Sequence, residues 1–461
     1  MTSSDKRPIG VRVRLTGVTQ VRTAAGVVRG SVADGVHSFR GIPYAAEPSG
    51  PLRFAAPAPP VPWSGIRDAL EFGPAPPQPA PAPGLAPAWR PEDGLDCLTA
   101  NVWTPAPGGS GLPVMVWLHG GRWTIGSAAM PQYDGSLLAA AGVVVVTLNY
   151  RLGFEGFGHL PGAPDNRGLL DQLAALSWVR ENMAGFGGNP DNVTVLGHSA
   201  GAASAVLLMR GGLARRVVAQ SVPSGCLTVQ EAARVTDELA AAAGVPPSLS
   251  GFAGLEPVVD LPGRFGPVLD GTVVTGEPWT AVAPEVDLVC GFTHEEFRGF
   301  DAARTGDVEG AAAVFGLPPS AAELYQATED PFMTLMSDAL VRMPTTRVAA
   351  AHAAAGGRTW LYDFTWRGPL GAAHGVDVPF TFGVLTGRYA ERLLGPAGAT
   401  ESAAALSAAL RTAWTSFAAT GDPGWPRYEP SAHWTRLWDD PVLDVPYPLA
   451  DSAQLWDVEQ P

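Results

Sequence analysis

Cysteine is scarce in this chain: Cys97, Cys226 and Cys290 are the only three in 461 residues, and no C-x-x-C spacing occurs. So odd and sparse a set argues against a disulfide framework and against a cysteine-built zinc site. Long apolar runs are missing too. No stretch of about 18 apolar residues is available to span a membrane. Residues Met1 to Gly17 are polar and basic, without the apolar core of a secretory signal. These absences point to the cytoplasm, with no membrane as partner. Positive charge is also short. Lys6 is the only lysine, and 30 Lys and Arg against 44 Asp and Glu leave a net charge of −14. A polyanion needs a basic face, so nucleic acid is not an expected partner. No H-E-x-x-H or paired-histidine spacing is present, and neither a metal nor another cofactor is expected.

What the chain has in quantity is apolar surface, at 46% of residues, which is ample for a core. Val11 to Leu15 alternates like an edge strand or hairpin arm, and Val18 to Val32 and Gly35 to Phe39 continue the β character. The stretch Gly73 to Pro91 is dense in proline and alanine and reads as a stiff surface loop, with Trp89 packed on the surface at its end. Asn101-Val102-Trp103 and Val114 to Leu118 read as interior strands. Gly142 to Leu148 is apolar nearly throughout, as a strand covered on both faces must be. Leu169 to Met183 has helical spacing, and Asn192 to Leu196 reads as the next strand. Strand, helix and strand make a βαβ unit of a largely parallel sheet, hence an α/β fold. Further strands are expected at Val286 to Cys290 and Thr359 to Tyr362. Further helices are expected at Val229 to Ala243, Met336 to Ala354 and Ala403 to Ala419. No internal boundary stands out, so a tail over 1–17 and one domain over 18–461 are expected.

Between strand and helix lies Gly197-His198-Ser199-Ala200-Gly201. A serine flanked by glycines at such a turn is the nucleophile-elbow pattern, in which close packing demands glycine and the serine Oγ points outward. The pattern is weak alone in a chain with 55 glycines. Acyl transfer by serine also needs a base, a carboxylate to orient it, and donors for the developing oxyanion. Leu118-His119-Gly120-Gly121-Arg122-Trp123 follows a strand directly, and its glycines would let N–H groups approach a substrate oxygen. Of eight histidines, His374 lies downstream in a loop of small residues. His198 adjoins the serine on a turn where neighbouring side chains diverge, and His119 reads as support beneath the glycine turn. Glu295 and Glu296 follow the strand at Val286 to Cys290. Serine, then acid, then histidine is the chain order of α/β-hydrolases.

From about Val21 to Tyr428 the chain resembles the type-B carboxylesterase family, which includes bacterial p-nitrobenzyl esterases and the cholinesterases. The resemblance rests on Phe39 to Ala45 (F-R-G-I-P-Y-A), Arg53-Phe54, Asp96 to Trp103 (D-C-L-T-A-N-V-W), Asn149 to Arg151 (N-Y-R), Phe186 to Pro190 (F-G-G-N-P) and Phe417 to Pro423 (F-A-A-T-G-D-P). It implies an α/β-hydrolase fold, a mostly parallel sheet flanked by helices with an N-terminal β-hairpin extension. It also implies hydrolysis of small to medium carboxylic esters through an acyl-serine. Ser199 would be the nucleophile, His374 the general base and Glu296 the orienting acid. The N–H groups of Gly121, Arg122 and Ala200 would be the oxyanion donors, and Ser221 a hydrogen-bond partner of the triad. Trp123, Phe154 and Phe380 are the pocket walls this neighbourhood suggests, and His198 is a further substrate-pocket residue.

The departures from the family pattern bear on substrate range. Arg122 stands where glycine or alanine is usual, and its guanidinium would crowd the acyl pocket or attract an anionic group. His198 replaces the glutamate before the nucleophile. Val222 and Phe297 replace glycines after Gln220-Ser221 and after the acid. The cysteine that pairs with Cys97 in secreted relatives is absent, with Pro76 near its place. The segment from about Phe300 to Leu335 looks short, which implies a reduced lid. A silent binding protein on this fold would lack part of the triad, whereas Ser199, Glu296 and His374 are all present.

Overall fold

The apolar runs of the sequence become the middle of one sheet. The computed structural model describes residues 17–80, 86–109, 111–257, 264–299, 306–396 and 400–457. In chain order the strands are β1 (Gly17–Thr23), β2 (Gly26–Ala33), β3 (Val36–Pro43), β4 (Ile66–Asp68), β5 (Thr99–Thr104), β6 (Leu112–Leu118) and β7 (Val144–Leu148). There follow β8 (Gly188–His198), β9 (Arg216–Gln220), β10 (Asp287–Thr293), β11 (Thr359–Phe364), β12 (Tyr428–Glu429), β13 (Ala432–Trp438) and β14 (Leu443–Pro446). Across the sheet they lie β1-β2-β3-β5-β7-β6-β8-β9-β10-β11-β13-β12, with β4 on β2 and β14 on β13. Every neighbouring pair from β7 to β13 is parallel. The β1–β2 hairpin and the strands β2-β3-β5-β7 pair antiparallel, and β4 pairs parallel with β2. This is the α/β-hydrolase architecture that the resemblance implies. The expected edge strand at Val11 to Leu15 lies outside the described residues.

Successive side chains on a strand face opposite ways, so a central strand must be apolar on both sides. Strand β6 does this with Val114, Val116 and Leu118 in one core layer and Met115 and Trp117 in the other. Its neighbour β7 divides in the same manner, Val144, Val146 and Leu148 against Val145. Helix α1 (Arg167–Asn182) carries the chain from β7 to β8, but β6 lies between those strands, so the expected βαβ unit is a crossover that spans one strand.

Helix α2 (Ala200–Leu207) follows Ser199 directly, and α3 (Val229–Ala243) has the bounds its capping box predicts: Thr228 Oγ1 accepts from Glu231 N, and Gly244 ends it at φ 67°. The helix expected over Met336 to Ala354 is interrupted. Helix α4 (Pro331–Ser337) passes through a π-helical stretch, Asp338–Arg342, into α5 (Met343–Ala354). Pro344 has no N–H for the Leu340 carbonyl, which accepts from Ser224 N at 3.4 Å instead. Beyond β11 come α6 (Asp377–Phe382), α7 (Arg388–Leu394) and α8 (Glu401–Thr420). No helix among the described residues is long and apolar enough to cross a membrane. The loops leaving the C-terminal ends of β6, β8, β10 and β11 carry His119 to Trp123, Ser199, Glu296 and His374, the edge at which parallel α/β sheets bind ligands.

Candidate active site

Ser199 sits at φ 56°, ψ −123° between β8 and α2, a backbone state that L side chains adopt only under constraint. The constraint is visible. Ser199 N donates to Gln220 O of β9 at 2.8 Å, and Ser199 O accepts from Ala202 N and Ala203 N at 2.8 and 3.0 Å. A Cβ on Gly197 would run into the Gly201 carbonyl, and one on Gly201 into the carbonyl of Leu118, the last residue of β6. The two glycines of the elbow are therefore obligatory, and together they lock the turn against the neighbouring strand.

The glycine turn after β6 lies against this elbow. A Cβ on Gly120 would come within 2.7 Å of His198 O and 3.1 Å of the Ser199 Cβ. Gly121 has φ 124°, and Arg122 and Trp123 both have φ 57°. The Gly121 carbonyl accepts from Thr124 N and Ile125 N at 3.0 Å each. Among the described residues, neither Gly121 N–H nor Arg122 N–H has a protein acceptor. Ala200 opens α2, where first-turn N–H groups lack partners within the helix.

His119 supports the turn from below. Its Nδ1 donates to Gly120 O at 2.9 Å and its ring stacks on Tyr150 at 4.5 Å. Burial pushes its pKa down to about 4, so the imidazole is neutral at pH 7. From the other side Gln78 clamps Gly126: Nε2 donates to Gly126 O, and Gly126 N donates to Oε1, both at 2.8 Å. The proline-rich stretch is therefore more than the surface loop its composition suggests. Pro76, Pro77 and Gln78 are buried, and Gln78 and Ala88 reach the cavity described below. Trp89 is buried rather than laid on the surface, its indole donating to Gly94 O at 2.8 Å.

Opposite the turn, His374 Nδ1 donates to Glu296 Oε2. Glu296 is fully buried, and its Oε1 accepts from Thr293 N at 2.8 Å. Glu295 turns the other way. Its Oε2 accepts from Ala372 N at 2.8 Å, its Oε1 meets Arg298 and Arg367 at 2.9 and 3.2 Å, and its own N–H donates to Ala372 O. One carboxylate bonds the imidazole while its neighbour grips the loop that carries it, a division no sequence signal announces.

Sequence reasoning also passed over Asp377, three residues after His374. It is buried, accepts from Gln220 Nε2 at 2.7 Å and Tyr362 OH at 3.1 Å, and burial pushes its pKa up to about 6. His198 lies beside His374 with ring centroids 4.6 Å apart. Burial, and secondarily His374, hold its pKa well below the usual 6.5, so it is neutral at pH 7.

These groups face a cavity of about 470 Å³ lined by Ser199, His374, His198, Gly120, Gly121 and Arg122, among others. Three expected pocket walls belong to the core instead. Trp123 donates from its indole to Ser204 Oγ at 3.1 Å and leans on Phe157. Phe380 packs on Phe364 and Trp366, and Phe154 on Phe54 and Phe252. Ser221, expected to bond the triad, has a buried Oγ with no hydrogen-bond partner among the described residues, while Glu296 accepts from Thr293 N and His374. Two arginines of the family-like motifs are structural. Arg151 grips Asp171 of α1 through Nε and Nη2, and Arg53 binds Glu155, all four being buried.

A sequence model described as the carboxylesterase family matches residues 17–253 and 317–447. Ser199 and His374 fall inside the matched segments, and Glu296 falls between them. The para-nitrobenzyl esterase of Bacillus subtilis (strain 168) is 35% identical over 94% of this chain and 97% of its own length. The phenmedipham hydrolase of Pseudarthrobacter oxydans is 34% identical over 87% of this chain and 90% of its own. A solved thermophilic PNB esterase superposes with a TM-score of 0.84 at 34% identity, covering 95% of this chain and 99% of that one.

Proposed function

The chain belongs to the carboxylesterase family and is a carboxylic-ester hydrolase, and from that premise we propose that Ser199, His374 and Glu296 are its catalytic triad. The observation that carries this reading is the His374–Glu296 hydrogen bond beside a cavity that also exposes Ser199. It supports Glu296 over Glu295, which is engaged with the loop backbone and two arginines.

In this reading Ser199 Oγ attacks the ester carbonyl and its proton passes to His374 Nε2. The Glu296 carboxylate fixes the proton on Nδ1 and stabilises the imidazolium that forms. The tetrahedral oxyanion takes the N–H groups of Gly121, Arg122 and Ala200, aimed at charge that appears only in the transition state. His374 returns the proton to the departing alkoxide, leaving acyl-Ser199. Water then attacks the acyl carbon and gives its proton to His374, and His374 passes that proton to Ser199 Oγ as the acid is released. A cavity of about 470 Å³ suits small to medium esters. The reading extends to a cytoplasmic location, supported by the unpaired state of Cys97, Cys226 and Cys290.

Ser199→Ala is expected to lower kcat/KM on p-nitrophenyl butyrate by about 10⁴-fold or more, and to abolish labelling by a fluorophosphonate. The relative's name makes p-nitrobenzyl esters a second probe. Undiminished hydrolysis by the folded variant would remove Ser199 from the mechanism.

A further inference from the structure

We infer that this pocket selects esters bearing a second, anionic group, a carboxylate bound by the guanidinium of Arg122, with Arg392 on the lining of the same cavity. The inference rests on Ser199 being the nucleophile and adds the substrate class. Both arginines line the cavity that holds Ser199, and among the described residues no aspartate or glutamate does. The two histidines there do not offset them in sign, and His198 is neutral at pH 7. A basic lining is not what composition supplies, since the chain carries a net charge of −14.

Arg122 differs from the chain's buried arginines. Arg53 and Arg151 each hold a carboxylate, and Arg167 spends its guanidinium on four backbone carbonyls. Arg122 is exposed at the cavity and, among the described residues, its guanidinium has neither ion pair nor hydrogen bond. It also occupies a left-handed position, φ 57°, where glycine would fit at lower cost. Trp123, at the same φ, is explained by its burial and its bond to Ser204. The planar fork of a guanidinium matches a carboxylate at two points, so an acid group on the substrate is the chemistry it fits. The bond chemistry is unchanged: one ester bond is exchanged for water, and the released acid or alcohol keeps its carboxylate. Because the pair forms before the reaction as well as during it, the effect falls mainly on KM.

Monomethyl adipate, an anion at pH 7.5, and neutral dimethyl adipate differ by that one charge, and release of methanol reports both. The ratio of their kcat/KM values is the readout, because partial misfolding of a variant scales both alike. Relative to wild type, Arg122→Gln is expected to lower the anionic-to-neutral ratio about three- to tenfold, chiefly through KM. Arg122→Lys should restore most of it, and Arg392→Gln should lower it by a smaller factor. A ratio within twofold of wild type in both glutamine variants would overturn the inference. Failure of the underlying reading is a separate result: hydrolysis of dimethyl adipate would then survive Ser199→Ala.

Discussion

The two loops that meet at Ser199 are built on opposite principles. The glycine turn over 120–126 is held without charge, by backbone carbonyls, the neutral imidazole of His119 and the amide of Gln78. The histidine loop over 371–377 is held by three carboxylates: Glu295 on Ala372 N, Glu296 on His374, and Asp377 on Gln220 and Tyr362. The difference fits the work each would do. A turn that receives a transient negative charge needs fixed dipoles that do not titrate. A loop that moves a proton needs a base held in one tautomer beside a permanent charge. Damage to the turn should therefore weaken turnover equally at all pH values, and damage to the histidine loop should change with pH.

The sharpest test of that contrast is Glu296→Gln. The amide no longer holds the proton on Nδ1, and turnover should fall about 10³–10⁴-fold with an altered pH–rate profile. A profile parallel to wild type would erase the distinction. Next is Gly121→Ala, whose Cβ would strike Ile125 O in a backbone at φ 124°. Turnover on p-nitrophenyl butyrate should drop about 10²–10³-fold, the scale of one lost oxyanion donor, with the profile unchanged in shape. A pH-dependent deficit here would show that the turn senses charge after all.

The smallest effect on rate, and a distinct one on stability, is expected of Asp377→Asn. Burial raises the Asp377 pKa from 3.8 to about 6, so folding takes up a proton in that window. Stability from this group is complete below pH 3.8 and is lost as pH rises through 6. Replacing the carboxylate should thus raise the melting temperature at pH 7 to 8, by up to about 3 kcal/mol of stability, and leave it unchanged near pH 4. A variant less stable at pH 8 would mean that the ionised carboxylate strengthens the loop.

The elbow was legible because its sterics are local. Gly197 and Gly201 are required by contacts within one turn and with the adjacent strand. Strands β6 and β7 were legible because burial on both faces leaves an apolar run. Strand β9 was not. It is five residues long, and its ends are polar groups satisfied by partners distant in sequence, Arg216 by Asn192, the Ala418 carbonyl and Asp287, and Gln220 by Asp377 and Thr381. Resemblance, rather than composition, singled out Glu296 from Glu295. The aromatic walls were misjudged because nearness to the serine in sequence does not fix direction: left-handed backbone at Trp123 accompanies a ring held on Ser204.

The adjacent carboxylates set a rule about chain length. Glu295 and Glu296 have divergent duties only because each occupies its own step beyond β10. Removing one residue between Thr293 and Glu295 would move each acid into its neighbour's direction, so the imidazole would face the wrong side chain even with both acids kept. Substitutions along this segment leave the register intact, whereas insertions and deletions do not. Redesign of the substrate site therefore has room in the turn and in the cavity lining, and almost none in the spacing from β10 to Glu296.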